Sequence, residues 1–588
     1  MGEFVRHIPD SQFRRLVFCF VTWAVTGTFG SISMTNAGEV APSAKVFTIQ
    51  IPMRDGTQQT ARVSLPPGDG PWPVVLQRFY WANSFSFGER TFHAGGYATV
   101  QQQFRDADGK IGTRFRQDDI DGYDSVEWIA RQRWCNRQVV MYGKSAGGIT
   151  ALAAASARPP SLKAIIPMNN GVSWKWGYRA NGAVTLAMAA NGRAIPAINK
   201  EPWLSDRDAY KFLPLADLDK HVQGKENPLW NQIVFNSEYN NFYKADVTDL
   251  ARIAKIRVPA LFIAGWWDYY AGCSFEAWKT VKRSNPDLDV RIIVGATNHV
   301  SQFPRDGRDY KGGREDAAGE AVRWLDFVLR GRKNGLEKQP PVKVFTMKAN
   351  RWQRYDTWPP PGAAEKVYLH NATPDRFGTL DVTPPGDEPA SEYDYDPDDP
   401  VPTLGGNHSI HYHHPLVPAG SFDHSAHEKR ADVLVFSTGP LAKDTEVTGP
   451  IDLTLWASTD GRDTDWTAIL LDVEPSGTPY NVTMGILRAR YHRGIYRPPE
   501  LLTPGKPYRF TFDLMPTSYV FRKGHRIRLH VSSSNFPLWD RNPNTGGAIA
   551  TETRTRVAHQ TIFHHQERPS HIRLPVVRGG LPETPNTP

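Results

Sequence analysis

The chain is 588 residues long, more than a single ordinary domain holds, so two or three domains are expected. Hydrophobic residues make up 40% and there are 18 tryptophans, which suffices for sizeable cores and argues against wholesale disorder. A net charge of +8 and a pI near 9.1 are modest for this size, and Lys and Arg are scattered among acids with no long basic run, so nucleic-acid binding has little support.

In chain order, the first predicted element is a targeting segment. Arg6, Arg14 and Arg15 precede an apolar stretch at 16–29, and Thr35-Asn36-Ala37 offers a cleavage point. Residues 1–37 therefore read as a signal peptide, and the mature chain as periplasmic or secreted without stable membrane insertion. An uncleaved anchor is the alternative, disfavoured because Gly, Thr and Ser interrupt the apolar run. From 44 to about 330, short apolar runs at 73–76, 98–101, 139–142, 164–167, 259–264 and 291–294 look like buried parallel strands. Helical periodicity lies between them, with Tyr123, Val126, Ile129 and Ala130 on one face and Val322, Leu325, Val328 and Leu329 on another. That alternation predicts an α/β core over 38–170 and 249–340. Residues 171–248 break the rhythm and read as an inserted cap. From 341 to 588, alternating segments between Pro/Gly/Asp turns predict an all-β sandwich or jelly roll. Cys135 and Cys273 fall at opposite strand ends, about 17–20 Å apart, and so are expected as buried thiols rather than a disulfide.

Gly143-Lys144-Ser145-Ala146-Gly147 has the spacing of a nucleophile elbow, in which a strand turns sharply into a helix and glycines flank the exposed serine. The pentapeptide alone is weak evidence. Its context is stronger, because a strand signal precedes it and a small-residue helix follows at 149–157. A serine of this kind needs a base and an orienting acid, in the chain order Ser, Asp, His. Asp268 stands just past the strand at 259–264 and His299 just past the strand at 291–294, both at the sheet edge where α/β sites assemble. Ser145, Asp268 and His299 are the candidate triad.

These residues sit in stretches that resemble the cocaine esterase-like (CocE/NonD) hydrolases and the related X-Pro dipeptidyl-peptidases. The stretches are RQRWCNRQVVMYGKSAGG (131–148), VPALFIAGWWD (258–268), DPVPTLGG (399–406), DTDWTAILLDV (463–473) and VSSSNFPLWDRNPNTGG (531–547). The resemblance implies an α/β-hydrolase core, a helical cap and a C-terminal jelly roll, with the same triad. It also implies an oxyanion hole built from a tyrosine hydroxyl, here Tyr80 in LQRFYW (76–81), and the backbone N–H of Ala146. The chain departs from the family pattern where Ala146 replaces a usual Tyr, and where Gly295-Ala296-Thr297 replaces the Gly-Pro-Trp that commonly leads to the histidine.

Tyr269 and Tyr270 follow Asp268 where a relative that holds an α-ammonium group often has carboxylates. With Trp174, Trp176, Trp266 and Trp267 they suggest an aromatic, uncharged pocket. The expected activity is hydrolysis of esters or amides with bulky apolar acyl groups, without a cofactor. X-Pro dipeptidyl-peptidase or α-amino acid ester hydrolase action is the alternative. Metal binding by His408, His411, His413, His414, His424 and His427 is disfavoured against a solvated loop, because the spacing is irregular and no companion Cys or acid pair is present. Sugar binding by the β domain rests on fold analogy alone.

Overall fold

The computed structural model describes residues 44–85, 88–105, 117–170, 177–190, 206–245, 248–371, 375–407 and 416–581. The expected signal segment, Trp174, Trp176 and four of the histidines (His408, His411, His413, His414) lie outside them. Among the described residues no helix is long and apolar enough to cross a membrane.

The first sheet has ten strands. They are β1 (Lys45–Pro52), β2 (Gln58–Leu65), β3 (Trp72–Phe79), β4 (Ala98–Gln103), β5 (Cys135–Lys144), β6 (Leu162–Met168), β7 (Ala260–Gly265), β8 (Val290–Gly295), β9 (Val342–Thr346) and β10 (Arg351–Tyr355). The spatial order is β1-β2-β4-β3-β5-β6-β7-β8-β9-β10. From β4 to β9 neighbouring strands run parallel, while β1, β2 and β10 pair antiparallel at the edges. Five of the six apolar runs read from the sequence fall within these strands, and the sixth, at 259–264, starts one residue before β7. In β7 and β8 every residue is buried, as expected of strands covered on both faces.

Helices α1 (Glu89–Ala94), α2 (Asp118–Ala130), α3 (Ala146–Ala157), α4 (Ala271–Ser284) and α5 (Ala317–Arg330) flank the sheet. Eight of the twelve residues of helix α3 are Ala or Gly and it is buried almost throughout, so it sits tightly between α2 and the strands. A Cβ on Gly122 of α2 would come within 2.5 Å of the Ala154 Cβ, which shows how close the two helices run. The face of α5 differs from expectation. Ala321, Trp324 and Leu325 are its deeply buried residues, whereas Val322, Val328 and Leu329 are only half-buried. Trp324 supplies the reason, since its indole N–H reaches the Asp289 carboxylate at 2.7 Å and turns that side of the helix inward.

The described part of the insertion forms a small hairpin (Arg179–Ala180 with Ala183–Val184) and short helices at Leu218–Gln223, Pro228–Phe235 and Asn241–Lys244. The C-terminal part is a twelve-stranded, almost wholly antiparallel assembly. Strands β9 and β10, just past the expected division at 340/341, pair into the first sheet, and the second sheet begins with Ala363–Leu369. The fold is an α/β-hydrolase core with a mainly helical insertion and a C-terminal β domain. All of these described parts belong to one compact unit.

Candidate active site

Strand β5 ends at Lys144 and α3 begins at Ala146, so one residue must make the turn. Ser145 does so with φ 56° and ψ −118°, backbone angles that a non-glycine residue adopts only under strain of about 1–3 kcal/mol. The turn holds because a Cβ on Gly143 would lie 2.6 Å from the Gly147 carbonyl carbon, so bare backbone is needed there. Two hydrogen bonds fix the serine: its N–H donates to the Met168 carbonyl at 2.9 Å, and its own carbonyl accepts from Ile149 at 3.0 Å. Between residues 139 and 156 it alone escapes full burial.

The loops after β7 and β8 are zipped together. The Trp266 and Trp267 N–H groups donate to the carbonyls of Gly295 and Thr297, at 2.8 and 3.1 Å. Asp268 is fully buried at the end of the first loop, and His299 Nδ1 lies 3.1 Å from both of its carboxylate oxygens. A carboxylate only accepts, so Nδ1 carries the proton and Nε2 is left as the basic nitrogen. Asn169, the residue after Met168, donates its amide to the His299 carbonyl at 3.1 Å. The end of β6 therefore touches both the Ser145 turn and the His299 loop, which brings Ser145, Asp268 and His299 to one edge of the sheet.

Tyr80 follows β3 half-buried. Its ring packs on Phe79 and Phe104, in a cluster with Ala146 and Ile149 at the start of α3. Beneath it Arg78 is fully buried, donating to Asp118 (2.7 Å), Gln102 (3.0 Å) and Gln59 (3.2 Å). Burial pushes the Asp118 carboxyl up to about 6 against the opposing pull of Arg78. This network anchors the strand end that carries Tyr80. It was not anticipated from sequence, although an Arg near the end of a buried, mainly apolar strand signals a buried partner.

Two further ionisable groups lie near Ser145. Lys144 is buried, and desolvation pushes it down to about 8 although Glu315 and Asp268 pull the other way. Glu315 is buried under the His299 loop, accepts from Thr297 Oγ1 at 3.0 Å, and is raised by desolvation. Glu315 lies 47 positions from Asp268 with no motif around it, so nothing in the sequence flagged it.

The expected pocket aromatics part company. The Tyr270 ring lies edge-on to His299, with centroids 5.5 Å apart, and its hydroxyl approaches Met188 of the insertion at 3.8 Å. The Tyr269 hydroxyl donates to the Gly177 carbonyl at 3.2 Å. Trp266 corrects the expectation, for its indole N–H donates to the Phe345 carbonyl at 2.7 Å and its ring stacks on Phe275, facing the core. Trp267 is buried edge-on to Tyr310. The histidines need correcting too. His424 and His427 are buried rather than solvated, and burial and neighbouring charges hold both rings well below the usual imidazole range.

Residues 55–301 match the X-Pro dipeptidyl-peptidase (S15) family, and residues 334–573 match the C-terminal non-catalytic domain of X-Pro dipeptidyl-peptidases. A cocaine esterase from Rhodococcus sp. (strain MB1 Bresler) is 33% identical over 574 residues, covering 90% of this chain and 98% of the esterase. Among solved structures, an α-amino acid ester hydrolase superposes with a TM-score of 0.78 at 25% identity, covering 92% of this chain and 98% of that one. An aminopeptidase from a marine-sediment Thaumarchaeota archaeon gives the same score and identity, covering 93% and 98%. A strained serine at a strand-to-helix turn, a buried His–Asp pair on the same sheet edge and this end-to-end likeness agree, and the chain belongs to the cocaine esterase-like (CocE/NonD) family of serine hydrolases, related to the X-Pro dipeptidyl-peptidases.

Proposed function

We propose that this enzyme hydrolyses carboxylic esters or amides of bulky apolar acyl groups through an acyl-enzyme on Ser145. The observation that carries the reading is a strained, accessible Ser145 on the same sheet edge as a His299 whose Nδ1 proton is held by buried Asp268. In the first step His299 Nε2 takes the Ser145 hydroxyl proton as Oγ attacks the carbonyl carbon. The resulting imidazolium is stabilised by Asp268 and gives its proton to the leaving alcohol or amine. The Tyr80 hydroxyl and the Ala146 N–H serve the oxyanion, where two preorganised donors are worth several kcal/mol (of order 2.7–4 each). Water then attacks the ester on Ser145 by the same route in reverse.

For the acyl side, the support is the uncharged aromatic pair that follows Asp268. Tyr269 and Tyr270 follow Asp268, both buried, and Tyr270 borders the His299 ring. Asp208 is exposed and paired with Lys211, while the Asp249 carboxylate accepts from the Ala251 N–H as a helix cap. An α-ammonium group bound without a carboxylate costs several kcal/mol. The likeness to an α-amino acid ester hydrolase and an aminopeptidase favours a second reading, in which an acid from the insertion reaches the amine. A phenylacetyl ester compared with its phenylglycyl counterpart, at a pH where the amine is protonated, separates the two. The apolar reading predicts at least about a tenfold advantage in kcat/KM for phenylacetyl. Preference for phenylglycyl, or release of Xaa-Pro from peptides, assigns the enzyme to the amino-acyl branch.

A further inference from the structure

Three histidines meet inside the β domain, far along the chain from the triad. His424 and His427 sit three residues apart at the start of a 3-10 turn (His427–Lys429), and the His427 N–H donates to the His424 carbonyl at 2.9 Å. His530 comes from the strand Arg526–Ser532, which is hydrogen-bonded on both sides within the sheet. All three are 2% exposed or less. One ring nitrogen from each lies within 4.8 Å of the others.

The hydrogen bonds around them are incomplete in a particular way. His530 Nε2 donates to Glu428 Oε1 at 3.1 Å, and the same oxygen accepts from Arg528 at 2.6 Å. The carboxylate thus fixes the His530 proton on Nε2 and leaves Nδ1 as a bare lone pair, buried and without a hydrogen-bond partner. His424 and His427 place their Nδ1 atoms 3.0 Å apart, and the Nε2 atom of each likewise lacks a partner. A buried polar nitrogen left unpaired destabilises the fold, so three together call for a ligand. A buried imidazole lone pair recruits a cation, and a carboxylate behind the distal nitrogen is the usual arrangement that orients a metal-bound histidine.

We infer that His424, His427 and His530 form a binding site for one divalent transition-metal ion of the zinc type. The ligand set is three nitrogens, which suits zinc, cobalt or nickel and not calcium or magnesium. Nitrogens 2.0–2.1 Å from a tetrahedral ion stand about 3.4 Å apart, so shifts within ordinary side-chain freedom close the present spread around an ion. No fourth His, Cys or carboxylate joins the cluster among the described residues, which leaves one position for water. Glu428 serves as the positioning residue behind His530. The ion would be a staple: it ties the 423–430 turn, whose Asp423 bridges to Tyr480, to a central strand of the β domain. This site makes no use of Ser145, and it stands or falls independently of the esterase reading.

The test uses the full-length, tag-free protein, stripped with a chelator and then titrated with cobalt(II) and, separately, zinc. The site predicts one equivalent of cobalt bound with a visible band of four-coordinate intensity, one zinc per chain after dialysis, and a rise in Tm on zinc addition. His424→Gln and His530→Gln should each weaken zinc binding at least tenfold, and Glu428→Gln by a smaller factor, while circular dichroism keeps its wild-type shape. Replacing His408, His411, His413 and His414 together by Gln should leave binding intact. Wild-type protein that takes up no cobalt or zinc overturns the site, as does binding that survives both single substitutions or disappears with the fourfold one. The wild-type spectrum and metal count decide the matter even where a variant fails to fold.

Discussion

Lys144 has to live without water one position before Ser145. It is buried, and its folded-state value of about 8 lies below the ordinary 10.5. Below pH 8 both folded and unfolded chains hold the proton, and the folded state bears the full cost of burying the charge. Between about 8 and 10.5 the folded protein releases a proton that the unfolded chain keeps, so stability rises with pH across that window, by up to about 3 kcal/mol. Lys144→Met removes this group. The stability of the variant relative to wild type is therefore expected to fall as pH rises from 7 to 10 in denaturant titrations, and parallel profiles for the two proteins would contradict it. At this same scale the sequence was uneven. Ser145, Asp268 and His299 were readable because each sits where a strand ends, and strand ends are written in apolar runs. Lys144 and Glu315 were not, because burial of a charged side chain depends on what packs over it and not on its neighbours in the chain.

The elements around the site are held apart by very small margins. Strand β7 ends at Gly265, where a Cβ would lie 2.1 Å from the Thr297 carbonyl oxygen. That contact is how close the Asp268 and His299 loops run. Gly265→Ala should push them apart, lowering stability by about 1–3 kcal/mol and kcat by roughly 10² through misplacement of the His–Asp pair. Wild-type Tm and kcat in the variant would show that the loops have slack. The doubly covered strands were legible as unbroken apolar runs. The edge hairpin of β1 and β2 was not, since only Ile51 of β1 is buried and β2 mixes buried Gln59 and Ser64 with its apolar residues. Trp266 failed as a pocket residue for a related reason: being an aromatic near the site says nothing about which face of the sheet it serves, and its indole bonds to Phe345 on β9.

Across the whole molecule, a buried cation helps join the insertion to the β domain. Arg488 is 1% exposed and donates to Asp465 at 2.9 Å and to Asp540 at 3.0 Å. Asp540 also accepts from the Val184 N–H of the insertion hairpin at 2.6 Å, and the Arg488 N–H donates to the Asn181 carbonyl. Burial raises Asp465 to about 6 even with Arg488 in place. Arg488→Met keeps the volume but strands two buried carboxylates, so a loss of about 3–5 kcal/mol is expected in denaturant unfolding. A change under about 1 kcal/mol would mean the joint is not held by this charge. Such joints are invisible to local periodicity, and so is the sheet to which an edge strand belongs. The segments that became β9 and β10 alternate like those of the β domain, and only their pairing partners assign them to the first sheet.

The central claim is that Ser145 is the nucleophile, and active-site labelling tests it most directly. Wild-type protein should react with a fluorophosphonate to one label per chain, found on the Ser145 peptide by mass spectrometry. Ser145→Ala should take up no label and lose ester hydrolysis by about 10⁴ or more while keeping its fold. A label on another residue, or an active Ser145→Ala protein, would contradict the account.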